Sequence, residues 1–382
     1  HSFPTRRSSD LVWSSIRGPL GAQVGASEAT LGTLFTLLIV AQTLSQFPAG
    51  WVRDRYGPRP PLAAGGVLIA AGYGLFAVAA TPTVAAVAVF VGGSGAGTAY
   101  TVAVNTPVKW FDERRGLATG IVTMTFSGLS VALIPAIRGG VTGTFRTSLL
   151  VIGGGLAAAC LVAAVVVRDP GRRSAASDDG DDPIGVEEPQ YGWRDAIRTW
   201  QFWVLYVVFA TLNGVGLMLV EKSIAFADSL GLAAATATAA ASVIALGDSA
   251  GVIVGGGLSD RFAPTRTVGG ALLLAAAAIV GAVVVGSRGI GAAFVVLTGV
   301  AAFFRSPAFA VFPGLVGEYY GTAHSSENYA VLYTGKLWGS VFGGAATSVL
   351  VASVGWSQSF LLGAALLVVA GVAMFGVRPV ER

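Results

Sequence analysis

From residue 28 onward the chain alternates long apolar runs with short polar breaks, and few of the runs are interrupted in the way an amphipathic helix would be. A helix rising 1.5 Å per residue needs about 20 mostly apolar residues to cross a hydrocarbon core. Eleven runs meet that length, at 28–50, 60–80, 84–108, 116–138, 146–168, 200–223, 236–258, 266–286, 289–316, 326–350 and 355–377. Upstream, LVWSSIRGPL reads as the last turns of another apolar helix whose beginning is absent, which would bring the count to twelve. The ten residues before it, HSFPTRRSSD, lack the build of a signal peptide and read as a foreign or unstructured leader.

The expected fold is therefore all-α and polytopic, in two six-helix halves. A leader at 1–10 is followed by an N-terminal half at 11–168, a linker at 169–199 and a C-terminal half at 200–382. The linker, which begins DPGRRSAASDDGDDPIGVEEPQYGWRD, is too polar to enter lipid or to bury a core.

Composition supports the lipid reading. Of 382 residues 54% are hydrophobic and 12% charged, about half the charged share of a soluble domain, and the mean hydropathy is +0.71. One cysteine, Cys160, excludes a disulfide framework, and with His1 and His324 as the two histidines no metal cluster or cofactor site is expected. No Ser-His-Asp set, HExxH pair or phosphate-binding glycine loop is present, so no enzyme is expected. The net charge of +4 does not indicate nucleic acid, because the basic residues lie in loops rather than along one helix face.

Those loops are unequal. Arg53, Arg55, Arg59, Lys109, Arg114, Arg115, Arg168, Arg172, Arg173, Arg194, Arg198, Arg261, Arg266, Arg378 and Arg382 fall on one side, against Arg17, Arg138, Arg146 and Arg288 on the other. The positive-inside rule places the linker and the C-terminus in the cytoplasm of a cell-membrane protein.

An internal repeat runs through the loops. AGWVRDRYGPR after the 28–50 run matches GGGLSDRFAPTR after the 236–258 run, pairing Asp54 with Asp260 and Arg55 with Arg261 at an offset of 206 residues. KWFDERRGLATG pairs with EYYGTAHSSENYAVLYTG, setting Trp110 opposite Tyr319 at an offset of 209. Two halves of common design follow.

The pattern G-x-x-x-D-R-x-G-x-R at Gly50, Asp54, Arg55, Gly57 and Arg59, with a degenerate copy at Gly256, Asp260 and Arg261, resembles the loop signature of the major facilitator superfamily. Carboxylates and arginines at helix ends can latch one state of a rocking carrier, so Gly50, Asp54, Arg55, Gly57, Arg59, Asp260 and Arg261 are candidates for a cytoplasmic gate. The plainer alternative is positive-inside decoration. More narrowly, TLFTLLIVAQTLSQFPAGWVRDRYGPR, VKWFDERRGLATG, TWQFWVLYVVF and NYAVLYTGK are similar to the oxalate/formate antiporter family. The resemblance implies exchange or import of small organic anions. It also implies that Lys336, in a Y-x-x-K pattern with Tyr333, matches a cation that meets a substrate carboxylate. The arginine expected in the 236–258 run is replaced by Val252, which disfavours oxalate and points to monocarboxylates.

Three charges lie deep inside the apolar runs, whereas Glu221, Lys222 and Arg138 fall at the outer interface. Lys336 is about ten residues into its run, or about 15 Å from the end. A charge so deep costs about 2.5–3.5 kcal/mol on insertion scales and normally faces a cavity or a partner. It suggests an anion site, or else an ion pair with Asp248. Asp248, also near mid-membrane, is read as a proton carrier, a charge balance or a hydrogen-bonding wall, paired with Lys336 or Arg305. Arg305 stands where the resemblance implies an aromatic cavity residue, and it is a candidate replacement for the missing arginine. Gln42 is the counterpart of Asp248 at offset 206, and Tyr100 that of Phe309 at offset 209. All three of Gln42, Tyr100 and Phe309 match cavity positions of the resembling family, with helix packing the bland reading for Phe309.

The glycine runs at 92–97 and 251–257 are expected to let helices approach closely, and Pro107, Pro135, Pro307 and Pro313 to kink them. The sum is an alternating-access carrier of small organic anions, by antiport against a counter-anion or symport with a proton. It is expected to be monomeric, in contact with the lipid bilayer, and to need no cofactor. A carrier of a neutral metabolite, sugar or drug is the alternative within transport, and a non-transporting sensor on the same scaffold the alternative outside it.

Overall fold

Each long apolar run within the described residues is helical. The computed structural model describes residues 20–21, 23–111, 113–125, 145–169 and 190–380. Ten helices there are long and apolar enough to span a membrane. We label the spans α1 (Thr30–Tyr56), α2 (Arg59–Ala77), α3 (Pro82–Trp110), α4 (from 115, described to 125), α5 (Phe145–Val166), α6 (Trp200–Ser229), α7 (Ala234–Ser259), α8 (Pro264–Ser287), α9 (Gly291–Tyr320), α10 (Ser325–Val354) and α11 (Trp356–Gly376). The leader, the helix remnant before residue 20, Pro135, Arg138 and most of the linker lie outside the described residues.

Local chemistry sets several of the helix ends. The Ser27, Thr81 and Thr199 hydroxyls accept backbone N–H bonds at the starts of α1, α3 and α6, relieving donors that a helix start leaves unpaired. Gly57 (φ 83°) and Gly321 (φ 86°) follow α1 and α9 in the left-handed region, where a side chain would be strained. The outside is apolar: Val67, Val151, Val165, Leu246, Val349 and Val369 are all exposed, as lipid-facing positions should be. Aromatic packing such as the Phe226–Phe360 stack, with centroids 4.2 Å apart, fills the core of the second half.

Glycines draw the helices together as the runs predict. Gly93 lies where an added Cβ would be 3.0 Å from the Leu38 carbonyl of α1, and Gly95 where it would be 2.8 Å from the Gly65 carbonyl of α2. In the second half Gly247, Gly251 and Gly255, four residues apart on α7, meet Gly299, Phe303 and Pro307, four residues apart on α9. Rows at i and i+4 on both helices interlock in this way only when the side chains between them are small.

Among the described residues three spans are interrupted midway. α1 consists of Glu28–Leu44 and Gln46–Tyr56, α9 of Gly291–Arg305 and Pro307–Tyr320, and α10 of Ser325–Tyr333, Gly335–Val341, a π-helical turn Phe342–Ala346, and Thr347–Val354. Pro48 and Pro307 explain the first two, since each removes the N–H that would bond the carbonyl four residues earlier. At the third, Leu337 N–H bonds the Thr334 carbonyl at 2.9 Å in a tightened turn. Of the predicted kinks, Pro307 marks a break, while Pro107 and Pro313 sit inside continuous helix.

The halves meet mainly at one end. Ser325–Tyr333 packs on Gln46–Tyr56, and both Pro307–Tyr320 and Ser325–Tyr333 touch Pro82–Trp110, all near the end of the bundle where the two repeated loops lie. Deeper in the bundle, Gly335–Val341 touches Glu28–Leu44.

Candidate functional site

The repeated loops build a reciprocal latch. Asp54, at the end of α1, accepts the Glu327 backbone N–H at 2.9 Å, in the first turn of α10. Asp260, at the end of α7, accepts the Gly116 and Leu117 N–H groups at 2.7 and 2.8 Å, in the first turn of α4. Each half thus caps a helix start of the other, placing a carboxylate where the unpaired donors and the positive end of the helix dipole favour it. The approach depends on two glycines 206 residues apart. An added Cβ on Gly50 would lie 2.8 Å from the Ser326 carbonyl carbon, and one on Gly256 would lie 2.8 Å from that of Gly116.

Side chains extend the first cap. Lys109 Nζ lies 2.7 Å from Asp54 Oδ1, Arg55 Nη1 2.9 Å from Glu327 Oε2, and His324 Nδ1 3.1 Å from Glu327 Oε1. Glu327 is buried, so the Arg55 bond offsets much of the cost of desolvating it. Arg59 donates to the Val165 carbonyl at 3.3 Å, tying α2 to α5. Arg261 is exposed and bounds a cavity of about 1040 Å³ on this face, together with Arg114, Arg115 and Glu318.

In mid-membrane the polar groups form one connected series. Lys336 is half-buried just beyond the Thr334 break. Its Nζ lies 3.2 Å from the Tyr333 hydroxyl and 5.3 Å from the centre of that ring, a cation–π placement. Tyr333 packs against Tyr100 across the halves at 5.5 Å, against Tyr329 at 5.7 Å and against Phe209 at 5.4 Å. Phe209 meets Phe309 at 6.0 Å, and the Arg305 guanidinium lies 5.4 Å from the Phe309 ring. Arg305 ends on Asp248, whose Oδ1 also meets the Ser306 hydroxyl.

Of the two partners considered for Asp248, the geometry selects Arg305. Among the described residues Lys336 forms no ion pair. Arg305 is 2% exposed and its guanidinium rests on Gly216, where an added Cβ would sit 2.7 Å from Cζ, whereas the Asp248 side chain is 21% exposed. In this conformation the pair therefore presents its carboxylate. Gln42 is half-buried on α1, its backbone carbonyl accepting the Ser45 hydroxyl at 3.2 Å.

Several participants escape a reading of the sequence. Lys109 and Arg53 look like plain loop charges there, yet Lys109 pairs with Asp54, and the fully buried Arg53 grips Asp169 at 2.9 Å. Glu327 has a readable signal, an acidic residue in the first turn of a helix. Tyr329 has none, since its importance comes from ring contacts across helices.

The fold and these sites define a polytopic membrane carrier with a latched face and a charged centre. Comparison with known proteins agrees. The family description "Major Facilitator Superfamily" matches residues 8–221 and 215–382. This chain belongs to that superfamily and, within it, to the oxalate/formate-antiporter-like family. It is 30% identical over 356 residues to the oxalate:formate antiporter of Oxalobacter formigenes, covering 92% of this chain and 82% of that protein. It is also 27% identical over 344 residues to the uncharacterized MFS-type transporter YhjX of Escherichia coli, covering 86% and 81%. Among solved structures it resembles the E. coli fucose:proton symporter FucP (TM-score 0.74, 15% identity, 97% of both chains). It likewise resembles the proton:xylose symporter XylE (TM-score 0.71, 14% identity, 97% and 91%). At such identities these two likenesses concern the fold alone.

Proposed function

We propose that this protein is a secondary active carrier of small organic anions working by alternating access, with monocarboxylates ranking above oxalate. The observation that carries the reading is Lys336. It is a half-buried cation in mid-span, beside a helix break, on a segment that touches the other half. Its neighbours are a tyrosine hydroxyl and ring, with no carboxylate paired to it among the described residues. A cation held so deep without a counter-charge suits an anion that arrives and leaves. Tyr100, Tyr333 and Phe309 supply aromatic walls, which fit a small planar carboxylate, and Gln42 supplies an amide from the facing half.

The relative that exchanges oxalate and formate supports an anionic cargo. Asp54, Arg55 and Asp260, with Gly50, Gly57, Arg59 and Arg261 around them, would act as the gate of the cytoplasmic face, the side on which the positive-inside rule puts the linker and C-terminus. With that latch closed, the conformation of this structure would be the one that loads from outside.

Purified protein in liposomes tests the proposal. Labelled formate or acetate should enter vesicles, and Lys336→Gln should cut entry at low substrate concentration about tenfold or more. Exchange would require a counter-anion inside and ignore a pH gradient, whereas proton symport would follow the gradient. Uptake of a sugar or other neutral compound, undisturbed by Lys336→Gln, would overturn the anion assignment. Binding without any flux would indicate a sensor.

A further inference from the structure

Three charges lie in mid-span of the second half, Arg305 and Asp248 paired and Lys336 joined to them through the rings of Tyr333, Phe209 and Phe309. Arg305 is boxed in. The backbone of α6 at Gly216 closes one side of its guanidinium, the Phe309 ring lies 5.4 Å away, and the Asp248 carboxylate takes its tip. The box is structural: Gly247 and Gly251 bring α7 so close to α9 that Asp248, next to Gly247, reaches the residue at the α9 break. Ser306, at that break, offers its hydroxyl to the same carboxylate oxygen. The group the pair leaves accessible is the carboxylate, 21% exposed against 2% for the arginine.

We infer that Asp248 sets the valence of the cargo. By occupying Arg305 with a carboxylate that belongs to the protein, it leaves Lys336 as the net positive charge of the series, enough for one substrate carboxylate and not for two. This rests on the reading that the central path carries organic anions. The second carboxylate of a dianion would meet Asp248 where it would need a cation, and like charges at close range in a poorly screened interior repel strongly. The loss of the family's arginine at Val252 explains why a second cation is missing from its usual place. A second cation nevertheless exists, at Arg305, and is silenced from within.

Substrate selectivity tests this, because a purely structural ion pair would not alter it. Wild type, Asp248→Asn and Asp248→Asn/Arg305→Gln proteins are reconstituted, and uptake of labelled formate and acetate is compared with that of oxalate and malonate. Asn keeps the shape of Asp248 and removes its charge, so Asp248→Asn should raise the dicarboxylate-to-monocarboxylate ratio at least tenfold. It should also gain a larger thermal shift from oxalate than wild type does. The double variant restores the charge count and should return the ratio to the wild-type side. A folded Asp248→Asn protein whose ratio stays within twofold of wild type would overturn the inference while leaving anion transport intact. If Asp248→Asn does not survive purification, a double variant that prefers dicarboxylates would overturn it equally. Were wild type to move none of the four anions, the transport reading would fall first and this inference with it.

Discussion

The two halves of the molecule repeat each other at the capped end and part company at the centre. At the capped end, positions 206 residues apart play the same part, with Gly50 and Gly256 clearing the way for the opposite helix start and Asp54 and Asp260 capping it. At the centre the same offset sets Gln42 against Asp248, and all three deep charges, Asp248, Arg305 and Lys336, belong to the second half. Opening and closing a carrier asks the same mechanical work of both halves. Recognising the proposed anion would not, since one cation on one half, with aromatic contact from Tyr100 of the other, would serve.

Variants can break or sharpen that contrast. The largest stability effect should come from Arg305→Ala, which leaves the largely buried Asp248 beside no cation and should cost about 3–5 kcal/mol, read as a fall in the melting temperature of purified protein. Lys336→Gln should leave melting within a few degrees, because the residue is half-exposed. It should weaken carboxylate binding about tenfold to a hundredfold, the worth of one charged hydrogen bond, in a calorimetric titration. Gly50→Ala and Gly256→Ala should each push the opposite helix away and shift the carrier toward its gate-open form. The readout is alkylation of single cysteines placed on that face, and unequal shifts would show that the latch is less symmetric than its bonds. Asp54→Asn and Asp260→Asn remove charge but keep an acceptor, so smaller and similar shifts are expected, about 1 kcal/mol or some fivefold in the open-to-closed ratio. Tyr100→Phe should have the mildest effect, a change of a few-fold in apparent affinity with transport retained.

How far the sequence can be read follows from which forces act along the chain and which act across it. Lipid demands about 20 apolar residues per helix, so the spans and their short loops are plain in one dimension. The latch is half legible, because the repeat writes one aspartate in each half, Asp54 and Asp260, while their partners in the α10 and α4 first turns lie far along the chain. Lys336, Asp248 and Arg305 stand out because charge is costly at their depth. Which of them would pair depends on the rotation of α7 and α9, set by the Gly247, Gly251 and Gly255 contacts. The α9 break can be anticipated from Pro307, whereas the one beside Lys336 has no proline to announce it.

The interruptions at Ser45, Ser306 and Thr334 lie at similar depth, roughly 14–21 Å from the gate ends of α1, α9 and α10. In a rocking carrier they would serve as a belt of elbows. A bend of about 15° at an elbow swings a 15 Å forearm by about 4 Å at its tip, more than a hydrogen bond can stretch. The carrier could therefore unfasten its lower end without unpacking the upper arms of the same helices, and Lys336, seated beside one elbow, would be turned by the same movement, which on the proposed function would release the anion.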